Sequence, residues 1–124
     1  MLMEASSIQR KPAAIQSVGE YGTKKSASEL TLRVDANGAF STAEVLSKLE
    51  QLRECQLHSI EQPIRAGQWK AMRELALQSP VPIALDEELI GINEKGSKIE
   101  LLETIQPQFI ILKPSLHGGI SGTQ

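Results

Sequence analysis

The sequence predicts an α/β protein with a parallel sheet, on the basis of three observations. Short apolar runs alternate with longer segments of helical period over residues 29–124. The resulting order is β-α-β-α-β-α-β, and the predicted helices are long enough to cross between parallel strands. Charged side chains end the four predicted strands at nearly equal intervals.

The first predicted strand is the stretch "LTLRVD", in which apolar and polar residues alternate as they do in a half-buried strand. Asn37 and Gly38 follow it and predict a turn. The next stretch, "STAEVLSKLEQLRE", carries apolar residues at helical spacing. Ser41 and Glu44 form a capping-box pattern, which predicts that a helix begins here.

The remaining stretches repeat this rhythm. "HSIEQPI" predicts a second strand, and Met72 and Leu75 lie on one face of the helix predicted after it. "VPIALDEE" predicts a third strand, and "SKIELLETI" predicts a helix with Ile99 and Leu102 facing inward. The fourth predicted strand, "PQFIILKPS", is almost entirely apolar, which predicts that both of its faces are covered.

Four strands with three intervening helices correspond to about half of a TIM (β/α)8 barrel. We therefore predict a partial barrel of about four parallel strands over residues 29–124. Residues 1–28 contain Pro12 and two glycines and show no sustained period. For these residues we predict a poorly ordered leader.

Four charged residues lie where the predicted strands end, namely Asp35, Glu61, Asp86 and Lys113. Their separations are 61 − 35 = 26, 86 − 61 = 25 and 113 − 86 = 27 residues. Near-equal steps are expected if each residue occupies the same place in successive βα units. Since the carboxyl ends of parallel strands form one rim of the sheet, we expect these four side chains to converge there.

Converging carboxylates need a positive counter-charge. Two of them about 4 Å apart repel by roughly 4 kcal/mol at an effective dielectric constant near 20. A divalent cation removes this repulsion, and carboxylate oxygens suit Mg²⁺ or Mn²⁺. The set contains no paired histidine or cysteine, which disfavours zinc. We therefore predict Asp35, Glu61 and Asp86 as metal ligands.

Each of these residues also has a purely structural explanation. Asp35 could close an Asx turn with the residues after it, and Glu61 could be a solvated strand end. Asp86, Glu87 and Glu88 could form the acidic start of a helix, and Lys113 could be a surface lysine. The regular spacing of all four positions favours a shared site over four unrelated explanations.

Three other polar residues have weaker interpretations. Cys55 follows a predicted helix and, with no motif around it, is interpreted as a buried thiol. His58 precedes a strand and is interpreted as a surface or interface residue. His117 lies in a Gly-rich loop at the presumed rim, where a structural role is favoured and a site role stays open.

The stretches "LRVDANGAFS", "SIEQPI", "PIALDEELIG" and "FIILKPSLHGGISG" resemble the third to sixth barrel strands of the enolase superfamily. They are most similar to its o-succinylbenzoate synthase family. The resemblance covers roughly residues 29–124, and residues 1–28 do not share it. It implies Mg²⁺ at Asp35, Glu61 and Asp86, and a catalytic lysine at Lys113.

The reaction that this resemblance implies is a lyase reaction of menaquinone biosynthesis. A cyclohexadiene carboxylate loses water and becomes o-succinylbenzoate. Members of the family also carry a Lys-x-Lys motif on an earlier strand, whose second lysine removes the α-proton. Here the matching region reads "SSIQRK", in which Lys11 is the candidate base. We therefore expect impaired activity in this chain, and its status as an enzyme stays open.

Two alternatives to the synthase stay open. One is a non-catalytic metal-binding remnant or an α/β interaction module. The other is a racemase or epimerase of the same superfamily, which shares the metal ligands and the lysine.

The sequence also constrains location and partners. No apolar run approaches the roughly 18 residues of a membrane span, and no signal peptide is recognisable. The net charge of −2 gives no reason to expect nucleic acid, and the one cysteine excludes an internal disulfide. We expect a cytoplasmic protein that acts on a small carboxylate substrate. We also expect this protein to self-associate through its exposed sheet edges.

Overall fold

A computed structural model describes residues 7–10 and 30–124, which contain one five-stranded sheet with helices. The strands lie in sequence order across the sheet: β1 (Ser7–Arg10), β2 (Leu32–Asp35), β3 (Ser59–Glu61), β4 (Ile83–Leu85) and β5 (Phe109–Ile110). The α-helices are α1 (Val45–Leu52), α2 (Trp69–Gln78), α3 (Lys95–Ile105) and α4 (Gly119–Thr123). Short 3₁₀ helices span Arg53–Cys55, Glu87–Leu89 and Pro114–Leu116.

The parallel part of the sheet confirms the predicted fold class. Strands β2 to β5 pair in parallel with their neighbours, and α1, α2 and α3 connect them in turn. The sheet also contains β1, which pairs antiparallel with β2. Apart from β1, the predicted leader at residues 1–28 lies outside the described residues, as does the candidate base Lys11, so both stay predictions.

Aliphatic side chains form the core between the sheet and the helices. Val45 and Leu49 of α1 are buried, and so are Met72 and Leu75 of α2, as their helical spacing predicts. The other buried apolar residues are Val34, Ala36, Ile60, Ile64, Ala76, Val81, Ile83, Ala84, Leu85, Leu89, Leu101 and Ile105. At the start of α1, the backbone N–H of Ser41 donates to Oε1 of Glu44 at 3.5 Å, which is half of the predicted capping box.

The inward face of α3 differs from the sequence prediction. Leu101 and Ile105 are fully buried, whereas Ile99 is 44% exposed and Leu102 is only partly buried. The helix carries apolar residues on two faces, so periodicity alone did not identify the face that contacts the sheet. Helix α2 packs against α3 and fixes that face.

The edge strand β5 is more open than predicted. Phe109 and Ile110 are each 39% exposed, so the prediction that both faces are covered was wrong. The helix that follows β5 in the described chain is α4, which has five residues and covers little of the strand. Self-association through this edge stays a prediction. No helix within the described ranges is long and apolar enough to cross a membrane.

Candidate active site

The strand register brings the predicted site residues to one rim of the sheet. Asp35, the last residue of β2, is paired with Glu61, the last residue of β3. Glu61 is in turn paired with Ala84, two residues before Asp86. Backbone hydrogen bonds continue past these pairs, from Ala36 N to the Glu61 oxygen at 2.9 Å and from Gln62 N to the Ala84 oxygen at 2.9 Å. The carboxylates therefore leave the sheet side by side.

Asp86 and Lys113 form an ion pair across this rim. The ammonium of Lys113 donates to Oδ2 of Asp86. The side chain of Asp86 is 3% exposed and that of Lys113 is 42% exposed, so the pair lies at the boundary between the core and solvent. The hydrogen bond to Asp86 raises the pKa of Lys113, and the nearby charges of Glu61 and Glu87 add to this effect.

Burial and the crowding of the carboxylates both act on the pKa of Glu61. Its pKa rises from an ordinary 4.5 to about 7, first because the group is buried and then because Asp35 and Asp86 lie close to it. Lys113 acts in the opposite direction. Burial also raises the pKa of Glu87, with further contributions from Asp86 and Asp35. The rim therefore concentrates negative charge that one ammonium does not neutralise.

We expect the metal-free chain to lose stability as the pH rises from about 4.5 to about 7. Between the ordinary pKa of Glu61 and its folded value, the folded state binds more protons than the unfolded state. Rising pH therefore favours unfolding across that window, and the raised pKa of Glu87 acts in the same direction. Urea unfolding with a chelator present, at about pH 5 and about pH 8, measures the effect.

The matched variants for this experiment are Glu61→Gln and Glu103→Gln. Glu61→Gln should flatten the pH dependence, because the titrating group is gone. Glu103 is an exposed residue of α3, so its replacement should leave the dependence unchanged. A pH dependence as steep in Glu61→Gln as in the unaltered chain would contradict the assignment to this carboxyl group, since Glu87 alone leaves only part of it.

Asp35 closes a turn in addition to belonging to the carboxylate cluster. Its Oδ1 accepts a hydrogen bond from the backbone N–H of Asn37 at 2.9 Å, which closes an Asx turn. Gly38 follows with a φ of 68°, and a Cβ there would lie 3.0 Å from Cα of Arg65. The turn therefore requires glycine, and it holds the end of β2 against the loop after β3.

The carboxylates suit a hard cation chemically, since every donor atom is oxygen. Oδ1 of Asp86 is buried and has no hydrogen-bond donor among the described residues. A buried carboxylate oxygen without a donor is suited to bind a cation. In the described part of the chain, however, no three histidine, cysteine, aspartate or glutamate side chains are arranged to hold a metal ion. Here Lys113 supplies the counter-charge at Asp86, so the ligand roles of Asp35, Glu61 and Asp86 stay predictions.

Sequence reasoning missed Gln62, whose side chain holds the backbone of the Asp86 segment in place. Its side chain is fully buried. Oε1 of Gln62 accepts from the backbone N–H groups of Asp86 at 3.2 Å and Glu88 at 3.3 Å, and Nε2 donates to the Ile64 oxygen at 2.9 Å. Glu88 completes the network, because its Oε2 accepts from the N–H of Gly67 at 3.0 Å. These bonds fix the backbone that carries Asp86. The one available signal was the place of Gln62 directly after Glu61.

Replacing Gln62 by methionine should lower the free energy of unfolding by about 2–4 kcal/mol. Methionine has a similar volume but leaves the backbone N–H groups of Asp86 and Glu88 buried without an acceptor. Urea denaturation measures the loss, and Gln51→Met on the exposed side of α1 is the control. Equal stability of the two variants would show that the Gln62 network is not required.

The three weaker candidates fall outside the rim cluster. Cys55 is exposed, so its interpretation as a buried thiol was wrong. The ring of His58 lies against that of Phe109, with centroids 4.4 Å apart. His117 is buried, with 1% of its surface exposed.

Comparison with known proteins identifies the group to which this geometry belongs. Residues 5–124 match a sequence model of the family described as "Enolase C-terminal domain-like". An o-succinylbenzoate synthase of Desulfotalea psychrophila is 55% identical over 91 residues, which cover 73% of this chain and 24% of that protein. An L-Ala-D/L-amino acid epimerase of a Maribacter species is 37% identical over 79 residues, which cover 57% of this chain and 23% of the epimerase.

Solved structures give the same picture. The crystal structure of MenC from Desulfotalea psychrophila superposes with a TM-score of 0.71 at 54% identity, over 74% of this chain and 26% of that one. L-talarate dehydratase from Polaromonas sp. JS666, crystallised with Mg and L-glucarate, has a TM-score of 0.67 at 24% identity, over 78% of this chain and 26% of its own. At this identity the match supports a shared fold and nothing further. The chain spans about a quarter of the length of the curated relatives it matches.

Proposed function

We propose a function from the premise that this chain belongs to the enolase C-terminal domain-like family. The function is Mg²⁺-dependent dehydration of a cyclohexadiene carboxylate to o-succinylbenzoate, a step of menaquinone biosynthesis. The chain would supply part of the active site. The observation that carries the proposal is the meeting of Asp35, Glu61, Asp86 and Lys113 at one rim, in a chain 55% identical to a synthase over the matched segment.

Asp35, Glu61 and Asp86 would hold the magnesium ion. Bound there, Mg²⁺ would act as a Lewis acid that stabilises negative charge on the substrate carboxylate. The Asx turn at Asp35 and the Gln62 network at Asp86 support this role, since both keep a carboxylate at a fixed place on the rim. These contacts lower the conformational cost of bringing the three groups together.

Lys113 would contribute positive charge beside the reacting centre. Its ammonium is charged at neutral pH, and the hydrogen bond to Asp86 raises its pKa further above the ordinary 10.5. With 42% of its side chain exposed, it can turn from Asp86 toward a substrate that lies over the rim. Removal of the α-proton needs a separate base, for which Lys11 is the sequence candidate.

An epimerase or racemase is the second candidate function. It is favoured by the epimerase relative, which is 37% identical over the matched 79 residues. Such a reaction would use the same carboxylates and the same lysine, with proton return in place of water loss. A third possibility, a non-catalytic remnant, would keep the rim without turnover.

A chimeric enzyme tests the proposal directly. Residues 30–124 would replace the matching segment of the Desulfotalea psychrophila synthase, which supplies the rest of the barrel. We expect the chimera to form o-succinylbenzoate with Mg²⁺, as followed by product absorbance, and not to epimerise dipeptides. A folded chimera that epimerises dipeptides instead would favour the second candidate, and one with neither activity would favour the remnant.

The 124-residue chain assayed alone is the companion experiment. We expect no product above background, because the open rim admits water, which weakens each electrostatic contribution. Turnover that Lys11→Ala abolishes would contradict this expectation and identify the base.

A further inference from the structure

Glu88 is a buried carboxylate beside the rim, and both of its oxygens accept hydrogen bonds. The residue is 4% exposed. Its Oε2 accepts from the backbone N–H of Gly67 at 3.0 Å, and its Oε1 accepts from Nε2 of Gln62 at 3.5 Å. Oδ1 of Asp86, two residues earlier, has no donor among the described residues. Glu88 is therefore engaged with the protein itself, whereas Asp86 has an oxygen available to a cation.

The contacts of Glu88 join the two segments that follow β3 and β4. Gly67 lies between β3 and α2, whereas Glu88 lies in the 3₁₀ helix Glu87–Leu89, which begins directly after Asp86. Within this helix the N–H of Leu89 donates to the Asp86 oxygen at 2.9 Å, and Leu89 is buried in the core. Because Asp86 and Glu88 belong to one short bonded unit, a displacement of Glu88 displaces Asp86 as well.

The backbone at Gln62 shows that this connection is held in an unusual conformation. Gln62 has a φ of 42°, in the left-handed region that residues other than glycine seldom adopt. Its side-chain oxygen accepts from the N–H groups of Asp86 and Glu88, which holds it there. Residues kept in such conformations by surrounding contacts cluster at functional sites. Gln62 directly follows Glu61, so the same contacts fix the position of a second proposed ligand.

We propose that Glu88 is a positioning residue that fixes Asp86 at the rim. Its carboxylate ties the segment that carries Asp86 to the N–H of Gly67, and the side chain acts through its reach between the two segments and not through its charge. The consequence for metal affinity rests on the proposed function, in which Asp86 is a ligand. Removing a contact that orients a metal ligand typically lowers metal affinity by about 10–100-fold.

Two variants of Glu88 separate reach from charge. Glu88→Asp keeps the charge but is one methylene too short to make the native contact with Gly67. Glu88→Gln keeps the length and an oxygen that can accept from Gly67, but it carries no charge. We expect Glu88→Asp to weaken Mn²⁺ binding by the 124-residue chain about 10–100-fold. We expect Glu88→Gln to weaken it by less than about threefold.

Electron paramagnetic resonance of free Mn²⁺ measures these dissociation constants. Glu103→Gln, which removes an exposed carboxylate of α3, is the control and should bind as the unaltered chain does. A loss of about tenfold or more in Glu88→Gln would overturn the proposal, because the charge would then control the affinity. Unchanged affinity in Glu88→Asp would overturn it as well. If Glu88→Asp does not fold, Glu88→Gln decides alone.

Amide hydrogen exchange in the metal-free chain separates this proposal from the proposed function. In Glu88→Asp we expect the N–H groups of Gly67 and Asp86 to exchange at least about fivefold faster, and that of Leu49 in α1 to be unchanged. A general loss of stability would accelerate all three together and would contradict a positioning role. Unchanged exchange at Asp86 would overturn the proposal even if the unaltered chain binds Mn²⁺. A chain that binds no Mn²⁺ but shows the expected exchange would contradict the metal site and would still support Glu88 as the residue that positions Asp86.

Discussion

Replacing Lys113 by alanine is expected to lower kcat for o-succinylbenzoate formation by about 10²–10³-fold in the chimeric enzyme. The variant removes the one ammonium that the structure describes beside Asp86 and Glu61. Positive charge placed where negative charge develops acts more strongly on the transition state than on the ground state. The expected result is therefore a large fall in kcat with a smaller change in KM, as measured by steady-state kinetics.

Two further variants sharpen this experiment. Lys113→Arg keeps the charge but changes its shape, so it should retain more activity than alanine. Lys70→Ala, at an exposed position of α2, should retain full activity. A Lys113→Ala chimera with unchanged kcat would show that the lysine serves only the ion pair with Asp86.

Manganese or magnesium is expected to stabilise the 124-residue chain against unfolding. At a hundredfold excess over the dissociation constant, the free energy of unfolding should rise by about 2.7 kcal/mol. The physical reason is that a divalent cation would neutralise carboxylates whose crowding, together with burial as the larger cause, raises the pKa of Glu61 to about 7. Thermal or urea unfolding with and without Mn²⁺ measures the gain.

Asp86→Asn is the decisive variant for metal binding. It removes the charge of the carboxylate whose buried Oδ1 has no donor among the described residues, so the stabilisation by Mn²⁺ should disappear. Glu103→Gln removes an exposed carboxylate of α3 and should keep the full effect. An unchanged unfolding curve of the unaltered chain in saturating Mn²⁺ would contradict a metal site at this rim.

Together these experiments separate the two halves of the proposal. Under the proposal, metal binding would depend on Asp35, Glu61 and Asp86, whereas catalysis would also depend on Lys113 and on a base outside the described residues. A chain that binds Mn²⁺ but supports no turnover in the chimera would be a metal-binding remnant.

The sequence by itself determined the alternation of strands and helices, because the two periods, 2.0 and 3.6, are local properties of the chain. It also placed Asp35 and Glu61 at strand ends, because near-equal spacing reflects a repeated βα unit. Asp86 directly follows β4, whereas Lys113 lies three residues after β5, so the predicted end of the fourth strand at Lys113 was wrong. The buried faces of α1 and α2 followed from the same periodicity, since each helix has one apolar face.

Only the tertiary structure decided the features that depend on contacts between distant segments. Periodicity could not choose between the two apolar faces of α3, because the choice depends on packing against α2. It could not assign Gln62 to a buried network with Asp86, since the partners lie 24 residues apart. The ion pair of Asp86 with Lys113 and the burial of His117 likewise arise only when β5 and α4 lie beside the earlier elements. Hydrogen bonding and burial depend on distances in space, which a one-dimensional pattern does not contain.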